Sequence, residues 1–491
     1  MTEEPTENRF DRTLAWLPAA AAALGAALLP LARGGWDLWA KSYAAAAVAA
    51  LLGIWAAALA LRGRLPRLRA ETSAVPVICM ALCWLSLQTS AIRWLCLPEF
   101  TAFLLAASPF LFFPFTGRKE AAIQTLFGAA LFLSLLAIYQ KLFLHTAATA
   151  SFFNENVFAG FAVTVLPLLA GRKRYAETAI LAVALLCTGS RGAWLALALS
   201  GGLCLILAEG KKKTAGIALL AATVICALLF NWHSLSDRAA WWTEAARMAA
   251  QKPWLGFGPG SFEFVYPSMH SPRADGLSAI YAHSYPLECA AACGLAFATI
   301  WTLWLFFRAL KAGGFIRWAA LAALLLSLED YTLNVPSNLF LLCLLLSSRD
   351  KGAFIEIRNS ALRVLASACL LGGGLALAQS SLAMLKAEKE VLAAKTLYES
   401  GKRTEGLAAA GKALANHPYS YQAALLRASM LMDSSGGTAS PELAKAYERL
   451  LDLNPYRPQT YVSLGKIYSA LGQPPLAGNV EERRRHFIKW R

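Results

Sequence analysis

Residues 172–213 read RKRYAETAILAVALLCTGSRGAWLALALSGGLCLILAEGKKK. Two apolar runs, Tyr175–Cys187 and Ala193–Ala208, are joined by the tight turn Thr188-Gly189-Ser190-Arg191-Gly192. Basic triplets bound them, Arg172, Lys173 and Arg174 before and Lys211, Lys212 and Lys213 after. A helix needs about 20 apolar residues to cross a hydrocarbon core, and fewer when its end is recessed among other helices. Short cytoplasmic loops retain Lys and Arg, whereas translocated loops do not. The stretch therefore reads as a membrane hairpin whose ends are cytoplasmic and whose Arg191 turn lies on the far side.

The same alternation extends in both directions. Ahead of the hairpin lie apolar runs at Leu14–Ala32, Tyr43–Leu61, Ala74–Thr89, Glu99–Phe115, Ala121–Phe143 and Phe153–Ala170. After it come Thr214–Phe230, Pro286–Phe307, Phe315–Leu328, Val335–Ser347 and Ala361–Ser380. Basic residues follow every even-numbered run: Arg62, Arg64, Arg67 and Arg69; Arg118 and Lys119; then the two triplets above. Arg308, Lys311 and Arg317 come next, and finally Arg349, Lys351, Arg358 and Arg363. The odd loops carry little such charge, which sets the N-terminus in the cytoplasm; a missed span would invert the rest of the pattern. The acidic start, with Glu3, Glu4, Glu7 and Asp11, shows no small-residue cleavage site, so the first run reads as an uncleaved span.

Composition agrees. Of 491 residues 57% are hydrophobic and 15% charged, with a mean hydropathy of +0.47, too little polar surface for a soluble globule. The formal charge of +16 sits in short clusters between apolar runs, which fits membrane topology and excludes a nucleic-acid groove. The ten cysteines lie in or beside apolar segments without zinc or haem spacing and read as small buried hydrophobes. No metal or cofactor is expected.

The expected fold is all-α: a polytopic transmembrane bundle of about 12–13 spans plus a C-terminal α-helical repeat domain. Residues 1–13 form a cytoplasmic N-terminus, 14–385 a membrane domain with an outer loop at 231–285, and 386–491 an extracytoplasmic tail. In the tail, Ala394, Leu397, Tyr398, Gly401, Glu405, Leu407, Ala413, Leu414 and Pro418 follow a spacing like that of a tetratricopeptide repeat, with a looser copy after it. Stacked helix pairs of that kind present a concave surface suited to an envelope protein partner.

Few ionisable residues fall inside the spans, which argues against an ion-coupled transporter. Polar groups gather instead at the expected outer ends, among them Arg33, Asn156, Arg191, Arg238, Arg273, His283 and Asp330. Arg191 follows Arg174 by a rise of roughly 25 Å at about 1.5 Å per residue, which places it below the outer interface, where a cation calls for a cavity, a carboxylate or an anionic ligand. Its guanidinium fork suits a phosphate. The alternative is an ion pair holding helices together, or snorkelling to headgroups. Trp241, Ala245 and Met248 share one face of an amphipathic helix that lies on the membrane or lids a cavity. In Pro253-Trp254-Leu255-Gly256-Phe257-Gly258-Pro259-Gly260 the glycines allow a turn with exposed amides, though without Walker or dinucleotide context. His283, just before the tenth run, titrates near neutrality and suits a general base or a phosphate donor.

Four elements in order, Phe153-Asn154-Glu155-Asn156-Val157-Phe158-Ala159, Ser190-Arg191-Gly192-Ala193-Trp194, the Arg238/Trp242 helix with the glycine-rich run, and His283-Ser284-Tyr285-Pro286-Leu287-Glu288, resemble the O-antigen ligase and polymerase family of membrane proteins over about residues 14–347. The resemblance implies a glycosyltransferase that takes a glycan from an undecaprenyl-pyrophosphate donor to a lipid or polysaccharide acceptor at the outer face of the bacterial inner membrane. It implies Arg191 and His283 as catalytic residues. Arg238, Asn156, Arg33, Arg273 and Asp330 are the substrate-binding candidates. Ser284 stands where many relatives have Asn, and Glu155 where many have Pro. A repeat-unit polymerase is the alternative within this chemistry; a polysaccharide or lipid transporter and an envelope scaffold are the alternatives outside it. The topology is checked by fusing alkaline phosphatase after Lys386: an active reporter is expected, and an inactive one removes the shared outer face.

Overall fold

The computed structural model describes residues 9–67, 69–208, 212–229, 235–269 and 279–489. Arg273, Lys211, the N-terminal residues 1–8 and parts of the expected outer loop lie outside the described residues. All thirteen expected apolar runs are helical. Among the described residues seven helices are long and apolar enough to cross a membrane: α1 (Leu14–Leu31), α2 (Leu38–Leu61), α3 (Glu71–Thr89), α4 (Arg93–Phe115), α5 (Lys119–Leu142), α12 (Tyr285–Lys311) and α15 (Ser360–Glu399). Shorter apolar helices are α6 (Glu155–Gly171), α7 (Tyr175–Thr188), α8 (Arg191–Ile206), α13 (Gly314–Leu326) and α14 (Pro336–Ser347), with α9 (Lys212–Leu229) packed on α8. The protein is an all-α polytopic membrane bundle. The short helices α6 and α14 lie at its centre and are buried on nearly all sides, which is why they need not match the full hydrocarbon thickness.

The loops sort by parity onto the two ends of the bundle. At one end strand β1 (Arg64–Pro66) pairs antiparallel with β2 (Phe354–Glu356), tying the loop after α2 to the loop after α14. Lys119 Nζ donates to the carbonyls of Ser348 and Asp350, 2.8 Å each. Arg308 meets Asp350 at 2.6 Å, and Arg172 meets Glu120 at 2.5 Å. The basic loops after the second, fourth, sixth, tenth and twelfth runs thus share one end. At the other end Trp36 from the loop after α1 and Tyr331 from the loop after α13 meet Tyr281, which precedes α12, and Phe153 from the loop after α5 meets both Trp36 and Tyr331.

At that second end, a glycine-rich loop is wedged into a break in α12. Gly294 has φ +87° and interrupts the helix. Beside it Phe257 N–H and Gly258 N–H donate to Ala291 and Ala292 carbonyls (3.1 and 2.8 Å), and Leu295 N–H donates to Pro253 O (2.8 Å). The expected exposed amides are therefore partly spent: the helix break frees carbonyls that the loop satisfies. The glycines at 256, 258 and 260 all have positive φ. Backbone contact leaves no room for a side chain at Gly256 or at Gly294, since a Cβ on Gly256 would lie 2.3 Å from Ala292 O and one on Gly294 2.1 Å from Trp254 O.

The last span continues without a break into the tail. Helix α15 has 40 residues, about 60 Å at 1.5 Å per residue, twice a hydrocarbon core of about 30 Å. The expected boundary at residue 386 thus falls inside one helix. Gly53 of α2 and Gly374 of α15 let these two backbones touch, a Cβ on Gly53 lying 3.1 Å from Gly374 Cα. Helices α16 (Arg403–Asn416), α17 (Tyr421–Ser434), α18 (Pro441–Leu453), α19 (Pro458–Ala470) and α20 (Pro474–Phe487) then pack on one another in chain order. Their apolar core reaches back to the bundle: buried Tyr456 meets Phe257 of the glycine-rich loop, Trp94 stacks on Tyr419 at 4.3 Å, and Lys489 N–H donates to Ser268 O. The tail is docked on the same end as the aromatic loops.

Gly294→Ala should destabilise the protein by more than the 1–3 kcal/mol typical of a strained backbone position, because the new methyl also meets a carbonyl. Gly128→Ala in α5, where a Cβ meets nothing within 4 Å, should be neutral or stabilising by up to about 1 kcal/mol. Thermal unfolding of the detergent-solubilised pair checks this, and equal melting temperatures would refute the wedge.

Candidate functional site

The turn between α13 and α14 carries Glu329, Asp330 and Tyr331 at the end of an apolar helix. Across it lies α10 (Leu235–Gln251), the expected amphipathic helix, whose Ala245 and Met248 are buried against the bundle while Trp241 is half-buried. From α10 Arg238 reaches the turn. Its Nη1 donates to Glu329 O at 3.0 Å and to Glu329 Oε2 at 3.2 Å, and its Nη2 lies 3.7 Å from Asp330 Oδ2. One helical turn on, Trp242 Nε1 donates to His283 O at 3.0 Å. Tyr285 N–H donates to Ser327 O. These bonds fix the loop before α12 against the loop after α13, and so place His283 beside the ion cluster.

His283 is clamped between two rings. Trp241 stacks on it at 4.6 Å and Tyr331 meets it edge-on at 4.7 Å. Its φ is +51°, a left-handed conformation uncommon outside glycine that tends to cluster at functional sites. Among the described residues its buried Nδ1 has no hydrogen-bond partner, an arrangement that buried polar atoms rarely tolerate without a ligand or water. Burial, aided by the Arg238 charge, pushes the imidazole down to about 4. The ring is therefore neutral through the physiological range, which corrects the expectation of titration near neutrality: an apolar clamp disfavours the imidazolium.

The carboxylates respond oppositely. Burial raises Asp330 to about 6 even though Arg238 and the Tyr331 N–H oppose the rise, and burial likewise raises Glu329. Asp330 Oδ1 accepts Tyr331 N–H at 2.7 Å. Tyr331 then stacks on Tyr281 at 4.9 Å and on Phe153 at 6.3 Å, and Phe153 meets Trp36 at 4.0 Å. The result is a continuous aromatic wall from His283 to the loop after α1.

The other expected site residues fall around this centre at different distances. Arg191 opens α8 after the left-handed Gly189. Its side chain is exposed on the bundle surface, at the turn that follows the end of α7 at Thr188. Its neighbour Gly192 abuts the cluster, with a Cβ there falling 1.9 Å from Glu329 Oε1. Asn156 is half-buried near the start of α6, and its N–H is accepted by Asn154 Oδ1, which caps the helix. Arg33 is exposed and pairs locally with Asp37 at 3.1 Å; it adjoins the aromatic wall through the same loop. Arg273 lies outside the described residues. Glu288 is buried, and its Oε2 accepts Ala282 N–H at 2.9 Å, which holds the His283 loop from below. Glu329 and the tyrosines at 281 and 331 did not emerge from the sequence; the readable signal was an adjacent Glu-Asp pair closing an apolar run.

Fold and site together define a polytopic helical membrane protein with a half-buried histidine beside an arginine–carboxylate cluster. Residues 178–302 match the protein family described as O-antigen ligase. That segment holds Arg191, Arg238, the glycine-rich loop and His283, while the carboxylates at 329 and 330 come from beyond it. Among curated proteins none matches this chain. The match supports an O-antigen ligase-like membrane protein.

Arg238→Gln should raise both titrations, His283 because a repelling cation is gone and Asp330 because a stabilising one is. Selective 15N-histidine NMR across pH 3–7 checks the first, and an unmoved His283 midpoint would detach Arg238 from the site.

Proposed function

We propose that this protein is a glycosyltransferase that moves a glycan from undecaprenyl pyrophosphate to a lipid or polysaccharide acceptor at the outer face of the bacterial inner membrane. The observation that carries the reading is the meeting of His283, Arg238 and the Glu329 carboxylate beside the Arg191 turn, within and next to the segment similar to O-antigen ligases. The aromatic end is then extracytoplasmic, with the basic end and N-terminus in the cytoplasm. The tail, with its tetratricopeptide-like spacing, is a periplasmic helical domain available to an envelope protein.

Pyrophosphate is already a competent leaving group, so the enzyme must neutralise its developing charge and align an acceptor hydroxyl behind the anomeric carbon. Arg191, exposed at the rim, takes phosphate oxygens through its fork. Arg238 is held by two carboxylates and adds positive potential from behind while orienting the loop. His283 accepts the hydrogen bond of the acceptor hydroxyl at its neutral ring. An imidazole at about 4 is a weak base in the free protein, but a pyrophosphate anion bound nearby stabilises the imidazolium and raises its affinity for the proton as the bond forms. Asp330 and Glu329 balance Arg238 when no donor is bound.

Purified protein, lipid-linked glycan and acceptor test this directly. Arg191→Ala should lower transfer by two to three powers of ten, the scale of losing one contact to a developing anion, and weaken donor binding; Arg191→Lys should recover binding more than rate. His283→Ala should leave donor affinity intact and depress turnover. In the native protein kcat/KM should not fall with His283 protonation until near pH 4, and any bend near pH 6 should vanish in Asp330→Asn. Native-rate transfer by His283→Ala would overturn the reading.

A further inference from the structure

Between the docked tail and the aromatic end of the bundle is a cavity of about 730 Å³, within the 300–1,000 Å³ of small-ligand sites. It is closed on one side by the loop after α1, the first turns of α2 and α4, and α11 (Phe262–Met269). The other side is α15 and the turn between α16 and α17, so the cavity does not exist without the tail. Its chemistry differs from that of the Arg238 cluster. Trp36, Trp94, Tyr281 and Tyr419 supply flat rings. Asp37, Glu99, Glu263 and Glu388 supply carboxylates, against Lys41, which is buried and paired with Glu99. Burial and the Glu99 charge raise Glu263, consistent with a partly desolvated acidic lining.

Resting on the transferase reading, we propose that this cavity is a saccharide subsite for the acceptor, completed by the tail. Ring faces pack the apolar C–H faces of pyranoses, and carboxylates accept from several hydroxyls or from an amino group. Asp37 and Glu99 are paired with Arg33 and Lys41, which leaves Glu263 and Glu388 to disfavour phosphate and uronate, so the donor head is steered to the Arg191 side and a neutral or amine-bearing sugar to this one. Tyr281 is common to the cavity wall and the aromatic wall, two rings from His283 through Tyr331. A sugar seated here thus has its hydroxyls on the approach to His283.

The test uses the full chain in lipid nanodiscs on an array of neutral, amine-bearing and anionic oligosaccharides with a parallel peptide library. Capture of neutral or amine-bearing glycans is expected, with at least tenfold loss in Glu263→Gln/Glu388→Gln and in Trp94→Ala/Tyr419→Ala, and retention in Trp94→Phe/Tyr419→Phe, which keeps the rings and the docked tail. The carboxamide pair is the control for tail release, since neither residue makes the Trp94–Tyr419 stack. Capture of nothing, of anionic glycans preferentially, of peptides alone, or equal capture by all variants would overturn the proposal. Glycan capture by a protein that transfers nothing would sink the transferase reading and keep the subsite. Transfer with an unchanged acceptor KM in both loss variants would do the reverse.

Discussion

The structure hinges on a backbone-to-backbone contact, the insertion of residues 253–260 into the break of α12 at Gly294. Helix breaks at membrane depth are tolerated only where other groups satisfy the freed carbonyls, and here the N–H groups of Phe257 and Gly258 do so. Everything at the aromatic end is positioned from that wedge. Ser90 donates to Phe257 O at 2.5 Å, anchoring α3 and α4. Upstream, α10 is delivered across the top of α12, which is what brings Trp241 over His283 and Arg238 to the Glu-Asp turn. Downstream, Phe257 offers its ring to Tyr456 and so docks the tail. A side chain at Gly256 or Gly294 would press on all three connections at once.

Much of the bundle was legible because lipid imposes a one-dimensional code. Apolar runs had to be helices, and the parity of Lys and Arg had to sort loops onto two ends; the β1–β2 pairing and the Lys119 and Arg308 bonds show that sorting in three dimensions. The site was legible only in part. Arg238, His283 and Asp330, separated by 45 and 47 residues in sequence, do converge. Arg191 sits on an exposed turn, a position that its distance from Arg174 does not give, because rise per residue says nothing about tilt or about where the bundle surface lies. The glycine-rich run announced its turn but not its partner. Nothing local in the sequence tells that the amides would meet carbonyls freed about 35 residues later. For the same reason the shifted imidazole was invisible: it is a property of two rings and an arginine drawn from two other segments, whereas sequence alone supplies the ordinary histidine value.

The tail shows that a change of composition need not be a break in the helix. Apolar character fades near Ser380 and repeat spacing begins near Ala394, which invites a linker between them. Helical hydrogen bonding does not depend on that change of solvent, and with no Gly or Pro from Leu375 to Glu399 nothing breaks the helix. A rigid α15 fixes the tail's height and heading over the bundle far better than a flexible connection, whose ends wander with the square root of its length. That rigidity permits the Trp94–Tyr419 stack and the Tyr456 contact to form without a large entropic loss.

Under the proposed reaction, the aromatic wall solves an electrostatic problem. An acceptor hydroxyl and a pyrophosphate must meet, yet groups that attract one sign of charge tend to mislead the other partner. Here Arg238 lies on one side of Trp241, Tyr331 and Tyr281, and the carboxylates of Glu263 and Glu388 on the other. Rings of low polarity between them limit direct pairing, which would otherwise collapse both sets into ion pairs of little use to a substrate. The group at the boundary must carry no charge until reaction begins. A histidine that burial keeps neutral meets that requirement, because a resting imidazolium would capture phosphate and a resting carboxylate would repel it. The depressed histidine is thus better understood as a condition for holding two oppositely demanding subsites in contact than as a weakened base.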